Sequence, residues 1–178
     1  PLSMNPSDIV RMIAIAPVHS AYQNLSFDTF NPTHLTGYTF QIQTEQSFPD
    51  NDSDLIGWCE KGRTLDLLNK DKKVDITFQH LLSRLNLTFV LATEFNALAI
   101  PTSDIVSDVV IKDASLEARV QLLPEGNLSA AVTSTSAKDD VKAYNTGWTA
   151  ASSKEGRCSS QWECILVPEA GANITISV

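Results

Sequence analysis

The chain has 178 residues, of which 43% are hydrophobic and 19% are charged, a balance typical of a folded domain and not of a disordered chain. Its formal net charge is −8, with 13 basic and 21 acidic residues, which argues against a nucleic-acid or anionic-membrane partner because both require clustered lysine and arginine. No apolar stretch approaches the roughly 20 residues that a membrane-spanning helix needs.

The residue pattern predicts an all-β fold. Segments rich in Val, Ile, Thr, Phe and Leu are separated by turn sequences at intervals of roughly ten residues, as in a β-sandwich or barrel. The predicted strands cover residues 9–16, 38–43, 74–78, 85–92, 106–111, 116–122, 128–134, 162–167 and 174–178. In LEARVQL, strict alternation places four apolar residues on one face: Leu116, Ala118, Val120 and Leu122.

The segment VDITFQHLLSRLNLTFV, residues 74–90, changes phase partway along. Its apolar residues stand at even positions up to Phe78 and at odd positions from Leu85, and one straight strand cannot bury both sets on one side. We therefore predict a bend or a single helical turn over residues 79–84. Leu81 or Leu82 would enter the core there, and Arg84 would reach solvent.

His80 and Arg84 have two interpretations. Four residues apart, they would share a face of a helical turn and could form a functional pair. The favoured interpretation is structural: polar residues at a point where the chain changes faces.

A polar, turn-rich stretch covers residues 44–73 and reads as a linker or long loop. Within it, RTLDLLNK (63–70) could form two helical turns. The shift in composition places a domain boundary near residue 60.

The sequence carries little that points to catalysis. It has no nucleophile elbow, phosphate-binding loop, dinucleotide fingerprint or zinc-binding helix motif, and no His lies at metal-ligand spacing from a second His or Cys. We predict no enzyme activity, no cofactor and no metal; a hydrolase using His19 or a cysteine such as Cys59 is the least favoured alternative. An acidic stretch has alternating aspartates, Asp50, Asp52 and Asp54. We interpret it as a solvated turn, with a weak cation site as the alternative.

Cysteines and aromatic residues supply the remaining candidates. Cys158 and Cys164 flank SSQWE closely enough to meet across a turn, so they form either a disulfide or, with Cys59, a set of reduced thiols. Trp148, in the turn-like YNTGWT, and Tyr144 are candidates for a binding surface. Trp162 is expected in the core or on the sheet surface.

The 74–90 segment contains FQHLLSRL at residues 78–85, with His80 and Arg84 two and six positions after the phenylalanine. This run resembles the signature F-x-H-x-L-[SA]-[KR]-[LV] of the fimbrillin-like proteins of Bacteroides-type bacteria, a family that includes subunits of type V pili. IVRMIAIAPVHS (9–20) is similar to the hydrophobic-x-A-x-x-P strand, with Ile15 in place of the usual aromatic residue.

Two further motifs follow in the family's order. SDLIGW (53–58) stands where the family often has D-L-hydrophobic. WECILVPEAGANITISV (162–178) is similar to the family's I-L-[IV]-P-Q strand and the strand after it, with Pro168 at the proline and Glu169 in place of Gln. Together the four motifs span nearly the whole chain.

The resemblance implies two transthyretin-like Greek-key β-sandwich domains in a protein exported as a lipoprotein to the outer membrane or an extracellular fimbria. Residues 1–60 would be the end of the N-terminal domain plus a linker. Residues 61–178 would be the C-terminal domain without its last strand or strands. The lipid anchor would lie on a segment before residue 1.

The function expected from the resemblance is that of a non-catalytic pilus subunit or surface adhesion protein. Its partners would be other pilus subunits or a second copy, joined by β-strand addition, in which main-chain hydrogen bonds supply affinity. The alternative is a surface module that binds a glycan or a host protein through Trp148 and Tyr144.

Overall fold

The computed structural model describes residues 5, 7, 9–17, 26–27, 35–36, 39–47, 52–64, 73–91, 100–122, 128–132, 136–153 and 156–178. These residues contain strands and no helix, so the all-β prediction is confirmed. The strands are β1 (Ile9–Ala16), β2 (Ser26–Phe27), β3 (Leu35–Thr36), β4 (Thr39–Gln41), β5 (Ile56–Thr64), β6 (Gln79–His80), β7 (Ser83–Leu91), β8 (Val110–Ser115), β9 (Glu117–Leu122), β10 (Leu128–Val132), β11 (Lys138–Lys142), β12 (Tyr144–Thr149), β13 (Cys158–Leu166) and β14 (Thr175–Ser177).

The strands are arranged in sheets whose hydrogen-bonded orders are β1-β5-β6, β10-β9-β4, β11-β8-β14, β12-β13-β7 and β2-β3. The β1–β5, β7–β13, β8–β11, β8–β14 and β12–β13 pairings are all antiparallel. The Greek-key, transthyretin-like topology that the resemblance implies stays a prediction.

The chain forms two compact units, each assembled from separate segments. Unit 1 consists of Pro1–Phe40, Asp54–Leu82 and Arg119–Ala131, and unit 2 of Gln41–Ser53, Ser83–Ala118 and Val132–Val178. Residue 60, the predicted boundary, lies inside β5. The linker prediction is therefore wrong for residues 56–64, whereas the division into two sandwich domains stays a prediction. Residues 65–70 of the predicted helix lie outside the described residues.

The buried side chains of unit 1 meet around Gly57 in β5. A Cβ atom at this position would lie 2.8 Å from Leu81 Cδ1 and 2.9 Å from Leu128 Cδ1, so glycine leaves the space that these two leucines fill. Leu55, fully buried, accepts a hydrogen bond from the Leu81 amide at 2.9 Å. This contact explains why the chain bends into the core after β6.

The phase change in residues 74–90 is a bend and not a helical turn. Leu81 and Leu82 are both buried, with the bend at Leu82, and β7 follows with its odd-numbered residues more buried than its even ones. The strand predicted over residues 74–78 is absent, because this stretch pairs with no other strand in the described residues. Ile76 and Phe78 are consequently 49% and 43% exposed.

In unit 2, the core contains residues of β8, β11 and β13, and every residue of β13 from Trp162 to Leu166 is buried. The buried apolar residues of these strands include Ile111, Val141, Cys158, Trp162, Cys164 and Leu166. β9 keeps the predicted alternation: Leu116, just before it, and Ala118 and Val120 within it are buried, and the side chain of Leu122 lies outside those described. The predicted strand at 106–111 begins only at Val110 and continues to Ser115.

Candidate functional site

The last described strand, β14, lies at the edge of its sheet. It pairs with β8 through Thr175–Lys112, Ile176–Ile111 and Ser177–Val110, and no described strand pairs with its other side. We call residues 174–178 the β14 edge. Its apolar residues Ile174, Ile176 and Val178 are 52%, 38% and 67% exposed. An edge strand with unpaired main-chain groups and exposed apolar side chains is a template for pairing with another strand.

A groove of about 370 Å³ lies beside the β14 edge. Its apolar lining includes Ile111, Leu166, Pro168 and Ile174. Three of its polar residues contact one another: the Ser115 hydroxyl donates to Glu169 Oε2 at 3.0 Å, and Lys138 Nζ lies 3.8 Å from Glu169 Oε1. The apolar part of the lining could receive an apolar side chain.

A β-bulge in β8 limits how far β14 can pair. Opposite β11, the register moves from Asp139–Ala114 to Val141–Ile111, so that β8 contains one extra residue. Asp113, within the bulge, has a φ of 54°, which places it in the left-handed region. Pairing with β14 reaches only Lys112, and the groove opens beyond that point.

Asp140 holds the two bulge residues with its two carboxylate oxygens. Lys112 Nζ donates to Oδ2 at 2.6 Å, and the Asp113 amide donates to Oδ1 at 3.3 Å. The hydrogen bond from Lys112, with that from the Asp113 amide, lowers the pKa of the Asp140 carboxyl. The bulge is thus a fixed feature of the sheet.

Arg84, one of the family-motif residues, belongs to a cluster that spans three strands. Its Nη2 lies 2.5 Å from Glu163 Oε1, and the Tyr144 hydroxyl donates to the same oxygen. Glu163 is only 8% exposed, whereas the Arg84 side chain is 58% exposed, so Arg84 reaches solvent as predicted and also neutralises a buried carboxylate. The hydrogen bond to Glu163 raises the pKa of Arg84, and burial, followed by the bond to Glu163, raises the pKa of Tyr144. The cluster ties β7, β13 and β12 together.

Tyr144 and Trp148 lie on opposite faces of the β12-β13-β7 sheet. Tyr144 pairs with Glu163 and Trp148 with Ser160, and residues three apart on a strand point to opposite faces. The even spacing of the two aromatic residues would place them on one face, but a bulge between Asn145 and Gly147 reverses the phase. The two residues therefore do not form a joint binding surface. YNTGWT is also a strand and not the turn predicted from its sequence.

Trp162 is buried, which agrees with the prediction that it lies in the core and not with the alternative that it lies on the sheet surface. Its indole Nε1 donates to Ser160 Oγ at 2.7 Å, and Asn145 Nδ2 donates to the same oxygen at 3.0 Å. Ser160 is itself fully buried. These bonds satisfy the polar groups on the inner face of the sheet.

Of the two alternatives for Cys158 and Cys164, the structure agrees with reduced thiols and excludes the disulfide. Both cysteines are on β13, six residues apart, which separates them by roughly 20 Å along a strand at about 3.3 Å per residue. SSQWE continues the strand and makes no turn. Both residues are reduced thiols and fully buried, and Cys59 is a half-buried thiol. Burial raises the pKa of the Cys164 thiol to about 12.

His80 contacts an acidic residue of the predicted turn. Its Nδ1 lies 2.8 Å from Asp54 Oδ1, and the His80 side chain is 68% exposed. His80 and Arg84 thus have different partners and do not act as a pair. Asp50 lies outside the described residues, as do His19 and His34.

Within the described ranges, no group of three or more His, Cys, Asp and Glu side chains could hold a metal ion. The same residues contain no helix with the length and apolar character needed to cross a bilayer.

Gln46 was not among the candidates from the sequence, although both hydrogen bonds between its side chain and Ile165 are buried. Its Oε1 accepts the Ile165 amide hydrogen at 2.7 Å, and its Nε2 donates to the Ile165 carbonyl oxygen at 2.8 Å. β12 begins at the Tyr144–Glu163 pair and therefore does not reach Ile165. The side-chain amide of Gln46 makes the hydrogen bonds to Ile165 that a longer β12 would make. A single glutamine in a polar stretch gives no sequence signal for this role.

Comparison of the chain with protein-family models, curated proteins and solved structures finds no match.

Proposed function

We propose that this chain is a non-catalytic subunit of a bacterial surface fimbria, or a related cell-surface adhesion protein, which assembles by β-strand addition. In this proposal it is exported as a lipoprotein and resides at the outer membrane or in the fimbria. The β14 edge carries the proposal, because it offers unpaired main-chain groups and exposed apolar residues at the same place.

The groove beside this edge supports the proposal through its chemistry. An added strand gains affinity from main-chain hydrogen bonds and specificity from pockets that receive alternate side chains. Apolar residues at the groove's lining, including Leu166 and Pro168, suit one such side chain. The Glu169 carboxylate in this lining is held by the Ser115 hydroxyl and Lys138.

The glycan- or host-protein-binding alternative has less support. Its two candidate contacts, Trp148 and Tyr144, lie on opposite faces of their sheet. The Tyr144 hydroxyl is also engaged with Glu163.

Immunogold electron microscopy of the cells that produce the protein tests the proposal. We expect label along surface fibres with the unmodified protein. Ile176→Lys places a charge in the middle of the β14 edge and should remove the label from fibres. Ile105→Lys is the matched control, since Ile105 is an exposed isoleucine outside any strand. Label confined to the cell interior, or unchanged fibre labelling with Ile176→Lys, would contradict the proposal.

A further inference from the structure

Two segments of the chain carry a strand-like sequence and an exposed apolar stripe. One is the β14 edge, Ile-Thr-Ile-Ser-Val, and the other is Val-Asp-Ile-Thr-Phe at residues 74–78, which has no strand partner in the described residues. We propose that copies of this chain associate head to tail, residues 74–78 of one copy pairing antiparallel with the β14 edge of the next. This inference rests on the proposed strand addition at the β14 edge and names the segment that is added.

The two segments match residue by residue when Ile76 stands opposite Ile176. Val74 then faces Val178, and Phe78 faces Ile174, which gives three apolar cross-strand pairs on one face. Thr77 faces Thr175 and Asp75 faces Ser177 on the other face. Side chains that are now about half exposed, Ile76 and Phe78 on one copy and Ile174 and Ile176 on the other, would cover each other.

Charge favours these segments over the rest of the surface. The chain has a net charge of −8, so two copies repel each other in general. The β14 edge has no charged residue, and the charge of Asp75 is balanced by Lys73, whose Nζ lies 3.4 Å from the Asp75 carboxylate. Neither segment has a lysine or proline among residues 74–78 or 174–178, the residues that commonly protect sheet edges.

The interface joins two different surfaces, so each copy keeps one segment free. Such heterologous contacts close into rings or extend into filaments. A two-fold contact between two β14 edges would instead stop at a dimer and would not involve residues 74–78.

Sedimentation velocity over a wide concentration range tests the inference with the full chain. Ile76→Lys and Ile176→Lys should each weaken self-association at least about tenfold, which corresponds to about 1.4 kcal/mol. Ile105→Lys should associate like the unmodified chain. Mixing the two edge variants should restore one interface and stop at a heterodimer, because each variant retains the segment that the other has lost. Circular dichroism checks that the variants are folded.

Cysteine crosslinking tests the register. In a Cys59→Ala background, mixed Ile76→Cys and Ile176→Cys chains should form an intermolecular disulfide, whereas Thr77→Cys mixed with Ile176→Cys should crosslink at least about tenfold less. The native Cys158 and Cys164 are fully buried and do not compete.

Three results would overturn the inference: a monomer at every concentration, self-association unaffected by Ile76→Lys, or no heterodimer on mixing. Loss of fibre labelling with Ile176→Lys but not with Ile76→Lys would reject residues 74–78 as the added strand and leave the proposed function standing.

Discussion

Gln46 satisfies both main-chain hydrogen-bonding groups of Ile165 with one side-chain amide, at 2.7 Å to the amide nitrogen and 2.8 Å to the carbonyl oxygen. Both residues are buried. Ile165 pairs with β7 on one side of β13, and the Gln46 side chain satisfies its main-chain groups on the other side, where β12 does not reach.

Replacing Gln46 should destabilise the fold strongly. Gln46→Ala leaves a buried N–H and a buried C=O without these bonds, and we expect a loss of roughly 2–4 kcal/mol in the free energy of unfolding. Gln46→Glu keeps the acceptor for the amide but sets a carboxylate against the Ile165 carbonyl, so this variant should recover stability at acid pH. Urea denaturation measures both effects. Gln43→Ala, at an exposed side chain, is the control; equal losses in Gln43→Ala and Gln46→Ala would refute this role.

The Arg84–Glu163 pair should contribute measurable coupling energy. Arg84→Met, Glu163→Gln and the double variant form a thermodynamic cycle, and we expect a coupling of about 1 kcal/mol, because Glu163 is buried while Arg84 is half exposed to screening solvent. The Lys73–Asp75 pair, with both side chains more than 70% exposed, should give a coupling near zero in a parallel cycle. A coupling energy no larger than that of the Lys73–Asp75 pair would mean that Arg84 shields Glu163 from solvent without stabilising it electrostatically.

Alkaline pH should destabilise the protein through Cys164. Burial raises the pKa of its thiol from 9.0 to about 12, so the folded state keeps a proton that the unfolded state loses. The stabilisation is therefore complete below pH 9 and is lost as the pH rises from 9 towards 12; the loss reaches about 2 kcal/mol at pH 10.5. The stability difference between the native chain and Cys164→Ala should shrink by this amount between pH 8 and 10.5. A constant difference would contradict the prediction.

Thiol labelling should distinguish the three cysteines. Cys59 is half-buried, whereas Cys158 and Cys164 are fully buried, so iodoacetamide should modify Cys59 in the folded protein and all three after denaturation. Mass spectrometry of peptides identifies the sites. A non-reduced sample should release the same number of thiols in denaturant as a reduced one; fewer would indicate a disulfide.

The bulge in β8 should respond to substitutions at Asp113 according to backbone preference. The φ of 54° suits glycine and is tolerated by Asp and Asn, but it disfavours a β-branched side chain. Asp113→Val should lower the free energy of unfolding by about 1–2 kcal/mol, and Asp113→Gly should leave it unchanged or raise it slightly. Thermal melts of the two variants provide the measurement, and Asp139→Val, at an exposed residue of β11, is the control. Equal effects of Val and Gly at position 113 would show that residue 113 is not kept in the left-handed conformation.

Much of the fold was predictable because strand periodicity is local. The alternation in β9 identified Leu116, Ala118 and Val120 as buried. The phase change in residues 74–90 predicted a bend or a helical turn within residues 79–84, and the structure has a bend at Leu82. β11, with the sequence KDDVK, was missed because only Val141 is buried in it. Its strand conformation comes from pairing with β8 and not from its own pattern.

The candidate sites were less predictable because they depend on contacts between distant residues. The bond between Gln46 and Ile165 joins positions 119 residues apart. Residues 74–78 have strand propensity but no strand partner in the described chain, so tertiary context overrode a local pattern there. The sequence left the disulfide and the reduced thiols open for a related reason: the distance between Cys158 and Cys164 depends on whether SSQWE turns, and composition does not decide that.

The bulge in β12 decides which face of the sheet Trp148 occupies. The register steps by two residues from Asn145 to Gly147 while β13 advances by one, which leaves Thr146 as the extra residue. If Thr146 paired with Gln161 instead, Trp148 would lie opposite Ser159, on the face opposite to that of Ser160. A deletion of Thr146 would remove the bulge and still leave Trp148 opposite Ser160. One unpaired residue thus lets two aromatic residues at an even spacing occupy different faces of the same strand.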